Sequence, residues 1–214
     1  MKSTIKLIIM ATALLITGTG VTAQSPGKKA LLVVDVQENL LDPNSGMHMD
    51  PAAIPPFIEN LNKSIEFFAE NKMPVIYIVN EFTNPFLNLL TSNACKKGAK
   101  GTDIDKRVNR VNDLVYRKSK SNALTNRDLS QYLKENAISE LYVTGLFAEY
   151  CIKATAISAK ANNYKVIIIE DAVGSKSAAK KSKAVGHCKS KGVSIITSDQ
   201  LLQGINARSI HTIK

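Results

Sequence analysis

From residue 30 onward the chain changes hydrophobic period again and again: short apolar runs of strand length alternate with longer segments whose apolar residues return every three or four positions. A strand buried on both faces reads as an unbroken apolar run, whereas a helix lying on a sheet shows one apolar stripe. The alternation therefore predicts an α/β fold, a mainly parallel sheet covered by helices. Six runs qualify, at 30–35, 74–79, 113–117, 141–144, 165–169 and 193–196. Between them, Phe57, Leu61, Ile65 and Phe68 mark a helix entered through Pro51, Pro55 and Pro56. Further helices are predicted from the Asn126 cap through Asn136, over 149–162 and over 177–191.

The stretch Asn80 to Gly101 mixes Asn, Pro, Phe, Lys and Gly and reads as a long loop, of the kind that is usually functional inside a compact domain. There is no internal repeat, low-complexity tract or linker. At 214 residues the length suits one core. Residues 24–214 are read as a single domain.

Residues 1–23 read as an export signal: Lys2 and Lys6, an apolar run from Leu7 to Val21, then small residues with cleavage expected after Ala23. The run falls short of the roughly 20 apolar residues of a spanning helix. A secreted or periplasmic protein without a stable membrane anchor is expected. Cleavage removes two lysines and no acid, leaving about +8 of the formal +10 charge. The lysines gather at Lys96, Lys97 and Lys100 and along 176–191, where no aromatic platform accompanies them, so the pattern reads as solvated faces and argues against nucleic acid. Cys95, Cys151 and Cys188 cannot all pair within one chain, so at least one thiol stays unpaired there even in an oxidising compartment. Spacing leaves a Cys95–Cys188 bridge and two free thiols both open.

Ligands of open parallel sheets bind beyond the carboxyl ends of the strands, which makes polar residues at strand ends informative. The first run delivers Asp35 after five apolar residues, and a half-buried carboxylate there needs a cation or a proton. The third run delivers Lys118 in the same way. After the fourth run comes Gly145, then Cys151 in the first turn of a helix, where the dipole and free amides favour a thiolate. Along that helix Cys151, Ala154, Thr155, Ser158 and Ala159 form a small-residue stripe expected to pack on the sheet. Taken singly, each residue also fits a bland role: a cap, a solvated lysine, a small core residue. Together they supply a thiol, an acceptor for its proton and an ammonium, the set that covalent acyl transfer requires.

These residues resemble the isochorismatase-like superfamily of cysteine hydrolases, which includes nicotinamidases and N-carbamoyl amidohydrolases. The resemblance is carried by Ala30–Gln37 (ALLVVDVQ), by Lys118 followed by Asn122-Ala123-Leu124, and by Val143–Ile152 (VTGLFAEYCI), with Thr155-Ala156 and Val166–Ala172 beside them. It implies a three-layer α/β/α sandwich with strand order 3-2-1-4-5-6 and a catalytic triad of Asp35, Lys118 and Cys151. It also implies a cis peptide at Leu146-Phe147 and an oxyanion hole formed by the backbone amides of Phe147 and Cys151. The substrate would be a small molecule cleaved at an amide or carbamoyl C–N bond through a thioester, and the protein a homo-oligomer, since relatives are commonly dimers or tetramers.

Nicotinamidases hold a metal through an Asp-x-His element after the second strand, where this chain reads Val79-Asn80-Glu81-Phe82-Thr83. His48, His187 and His211 show no metal-ligand spacing. No metal or other cofactor is expected. Gln37, Leu41, Asn80, Phe82 and Tyr150 are pocket candidates by position. Two other readings are an isochorismatase-type vinyl ether hydrolase, which would not need the thiol, and a non-catalytic binding protein that keeps the fold.

Overall fold

The structure, a computed structural model, describes residues 27–45 and 47–209. The export signal, its cleavage point and His211 lie outside the described residues. Six strands, β1 (Lys28–Val34), β2 (Val75–Asn80), β3 (Val115–Lys118), β4 (Ile138–Gly145), β5 (Lys165–Val173) and β6 (Ser194–Ile196), form one sheet in the order β3-β2-β1-β4-β5-β6. Every neighbouring pair is parallel. The chain winds outward in both directions from β1, so the crevice between the ends of β1 and β4 is the switch point where such sheets bind ligands.

Alternate residues of the buried strands feed two cores. Leu31, Val33, Tyr77 and Ile167 share a core with Leu40 and Leu41 of α1 (Glu38–Leu41), with α2 (Ile54–Glu70) and with Leu201 of α7 (Ser198–Ser209). Leu32, Ile76, Val143 and Ile168 face α4 (Arg127–Glu135), α5 (Lys153–Ala161) and α6 (Ala178–Ser190). This makes the three layers, with Phe57, Leu61, Ile65 and Phe68 buried as their spacing predicts. Burying such a side chain is worth roughly 1.5–3 kcal/mol. Asn126 caps α4 by accepting from the Leu129 amide at 2.8 Å.

Several boundaries differ from the sequence pattern. The parallel ladder carries β4 back to Ile138 and β5 on to Val173, across polar residues that the apolar runs omit. The long loop contains a short helix, α3 (Pro85–Leu90), held by the Asn84 side chain accepting from the Phe86 and Leu87 amides. The helix after β4 opens as a π-helical turn, Ala148–Ile152, before α5 begins. Its inward face is Cys151, Ile152, Thr155, Ala156 and Ala159, while Ala154 and Ser158 are only half-buried. The sequence pattern also passes over α7, whose first residue is fixed from a distance: Asp171 accepts from both the amide (2.8 Å) and the hydroxyl (2.7 Å) of Ser198.

All three cysteines are free and buried. Cys95 lies in the core on the α2 side and Cys188 in the core on the other, so the sheet separates them and the bridge left open by the sequence does not form.

Candidate active site

Asp35 leaves the end of β1 with φ at 56°, a left-handed conformation that Asp tolerates better than most residues. The turn takes the main chain off the sheet at the switch point. Lys118 ends β3, in register with Asn80 at the end of β2. Both follow the side-chain alternation of Ile76, Ile78 and Tyr116 and so stand on the sheet face that carries Cys151. Gly145 ends β4 with φ at 109°, and a Cβ there would lie 2.0 Å from the Val34 carbonyl oxygen, so only glycine lets β4 pass this close to β1. Past it, the Leu146-Phe147 peptide is cis. The π-helical turn then brings Cys151 back over the strand ends.

The result is a three-residue contact among side chains drawn from β1, β3 and the turn after β4. Lys118 Nζ donates to Asp35 Oδ2 at 2.6 Å and to Cys151 Sγ at 3.3 Å. All three are nearly excluded from solvent: Asp35 is 1%, Lys118 4% and Cys151 7% exposed. Asp35 Oδ1 is buried without a hydrogen-bond partner and is the open acceptor of the cluster.

Electrostatics in this dry cluster are set first by burial. Burial raises the Asp35 pKa, and the Lys118 charge offsets it only in part. At Lys118 burial favours the neutral amine, but Asp35 and Cys151 together outweigh it and hold the lysine above its ordinary value. Burial, then the Asp35 charge, pushes the Cys151 thiol well up, with Lys118 opposing both. The lowering of the thiol pKa expected from a helix start and a nearby lysine is opposed here, because loss of hydration and a neighbouring carboxylate outweigh one ammonium.

The surrounding shell fixes the turn. Glu149 accepts from Ser175 Oγ at 2.7 Å and from the Lys176 amide at 3.3 Å, tying the turn to the chain after β5. Thr155 Oγ1 accepts from the Ala123 amide at 3.0 Å and Asn122 Nδ2 donates to Ser158 Oγ at 2.9 Å, so the Asn122-Ala123 segment after β3 is clamped to α5. Among the described residues no acceptor is found for the Phe147 amide.

The pocket candidates separate into two groups. Asn80 is 5% exposed, and its Oδ1 is buried without a partner beside Lys118. Tyr150, next to the thiol, is 43% exposed, and Phe82 is partly buried against the core. Leu41, at 1% exposure, is a core residue of the α2-side cluster and offers no surface to a ligand. Gln37 is completely buried with both its carboxamide oxygen and nitrogen bonded to main chain, so the expectation that it lines the pocket is corrected. The signal that separates Gln37 and Leu41 from the others is their position after the Asp35 turn, which sequence spacing does not reveal.

Metal ligation does not suit the end of β2 and the residue that follows it: Asn80 carries no charge and Glu81 is engaged by Arg117. Among the described residues no group of three or more His, Cys, Asp or Glu is arranged to hold an ion.

The isochorismatase domain model matches residues 29–200. The isochorismatase family protein YrdC of Bacillus subtilis is 27% identical over 148 residues, 68% of this chain and 73% of that protein. The crystal structure of an isochorismatase-like hydrolase from Alkaliphilus metalliredigens superposes with a TM-score of 0.75 at 23% identity, covering 83% of this chain and 99% of that one. The N-carbamoylsarcosine amidase of Thermoplasma acidophilum gives a TM-score of 0.68 at 25% identity, over 80% of this chain and 97% of that one. A sheet of this order, with an acid, a lysine and a cysteine meeting at its switch point and a domain match running from the first strand into the last helix, places the chain in the isochorismatase family.

Proposed function

We propose that the protein is a cysteine-dependent hydrolase that cleaves an amide or carbamoyl C–N bond of a small molecule through a thioester. One observation carries this reading: a single ammonium, Lys118, bonds at once to a buried carboxylate and a buried thiol. The likeness to an N-carbamoylsarcosine amidase adds a relative of that chemistry.

In the reaction, Asp35 accepts the Cys151 proton on its unpartnered Oδ1 as the sulfur attacks the substrate carbonyl carbon. Lys118 stays protonated and faces the sulfur anion as it forms, so the charge that is disfavoured at rest is stabilised when it is needed. The carbonyl oxygen becomes an oxyanion held by the Phe147 and Cys151 amides, a donor of this kind being worth about 3 kcal/mol. The C–N bond breaks, the departing nitrogen takes the proton from Asp35, and the acyl group remains on sulfur. Water then gives a proton to Asp35 and adds to the thioester; the C–S bond breaks and the proton returns to Cys151. The products are ammonia or an amine and a carboxylate or carbamate. Asn80 and Tyr150 are the side chains placed to touch the substrate. The enzyme acts as a homo-oligomer in the secreted or periplasmic space to which its leader directs it.

The thiol favours C–N hydrolysis over vinyl ether cleavage, which proceeds by acid catalysis alone. A panel of primary amides, carbamoyl compounds and ureas assayed for ammonia release tests the proposal, with Cys151→Ala as control. Release that survives in Cys151→Ala, or the absence of release across the panel, would reject it.

A further inference from the structure

Gln37 has a side chain engaged entirely by backbone. Its Oε1 accepts from the Asn80 amide at 2.8 Å, and its Nε2 donates to the Asn80 carbonyl at 3.1 Å and to the Thr102 carbonyl at 2.6 Å. The main-chain ladder between β1 and β2 stops where Asp35 donates to the Ile78 carbonyl at 2.8 Å and then turns off the sheet. Beyond that point the Asn80 amide and carbonyl have no β1 backbone to pair with. The carboxamide of Gln37 takes the place of the missing peptide group, offering one acceptor and one donor in the same sense, and so extends the ladder past the departure of its own strand.

That extension sits between two members of the cluster. On one side, the Gln37 amide donates to the Asp35 carbonyl at 3.0 Å, bracing the left-handed turn. On the other, Asn80 is in register with Lys118, whose carbonyl accepts from the Glu81 amide at 2.7 Å. The second Nε2 bond, to Thr102, joins an antiparallel bridge of Gln37 with Ile104 and an Asp105 amide bond to the Val36 carbonyl at 2.9 Å, which hold the long loop against the same strand end.

We infer that Gln37 is a positioning residue: by bridging the ends of β1 and β2 it sets the height of Asp35 relative to Lys118 and keeps the pair dry beneath Cys151. The inference rests on the proposed triad, but its effect is readable without turnover. A clamp that fails lets the strand ends part and water enter, and a rehydrated Cys151 falls back toward an ordinary thiol.

The test uses Gln37→Leu and Gln37→Met, which keep apolar bulk in place of the carboxamide and remove all of its hydrogen bonds to the Asn80 and Thr102 main chain. Iodoacetamide alkylation of the folded full-length protein is followed per cysteine by mass spectrometry across pH. Both variants are expected to stay folded and to alkylate Cys151 about ten-fold faster at neutral pH, as for a thiol pKa lowered by one unit, with Cys188 unchanged. With any substrate found in the amide panel, kcat falls while KM holds. The inference is overturned if the folded variants give the parent's Cys151 profile, if Cys188 speeds up in step with Cys151, or if neither variant folds. A failed amide panel, by contrast, removes the hydrolase reading and leaves the alkylation comparison to decide this one.

Discussion

Lys118 Nζ lies 2.6 Å from Asp35 Oδ2, with the two side chains 1% and 2% exposed, so a full ion pair is held where water does not reach it. Such a pair is costly to assemble and costlier to break, because removing one partner strands the other charge in a medium that cannot solvate it. Its persistence here ties the stability of the fold to the chemistry at its switch point.

Replacing Lys118 by Met is expected to lower stability by about 3–5 kcal/mol, the usual effect of leaving one half of a buried pair. Urea denaturation measures it. A change of less than about 1 kcal/mol would show that the pair behaves as a surface contact.

The pH profile follows from the direction of the Asp35 shift. Burial raises its pKa, and the proposed mechanism needs Asp35 ionised to accept the thiol proton, so activity is expected to be lost as pH falls through that raised value. The acid limb of kcat/KM is expected clearly above the ordinary aspartate value of about 3.9. A limb at or below it would mean that Asp35 is not the base or is not dry.

Asp35→Asn should have opposite effects on two measurements. The Asp35 charge is one of the causes that raise the Cys151 thiol, so its removal lowers that pKa and speeds alkylation at neutral pH. Turnover by the proposed mechanism, in which the carboxylate takes the thiol proton, should fall by at least about a hundred-fold. In the parent protein Cys151 alkylation should climb with pH without levelling off at the ordinary thiol value near 8.5. Cys95, 1% exposed and pushed up to about 12 chiefly by burial, should stay unlabelled until the protein unfolds.

Gly145→Ala would force a methyl to within 2.0 Å of the Val34 carbonyl at a φ of 109°. A loss of about 3 kcal/mol is expected from the strained backbone and the clash. Chemical denaturation checks it, and a near-neutral result would show that β4 can move away from β1 without harm.

Much of this architecture is written locally. Strand-length apolar runs against helical periods are direct consequences of which faces are buried, so six strands and the helices α2, α4, α5 and α6 could be read from residue types alone. What escaped was fixed by partners remote in the chain. α7 begins where Asp171 accepts from Ser198, 27 residues away, and β4 and β5 run past their apolar cores because a neighbouring strand continues to pair with them.

The site divides in the same way. Asp35, Lys118 and Cys151 are visible in the sequence, because a polar side chain directly after an apolar strand, or at a helix start behind a glycine, is where an open sheet exposes its functional groups. Gln37 and Leu41, a few residues on, looked equally placed to touch a ligand. The turn at Asp35 sends one to bond backbone and the other into the core, and no spacing rule encodes the direction of a left-handed turn. The direction of the Cys151 pKa shift likewise comes only from the fold: nearby charges can be guessed from sequence, but the loss of water that outweighs them exists only once three separate segments have closed around the sulfur.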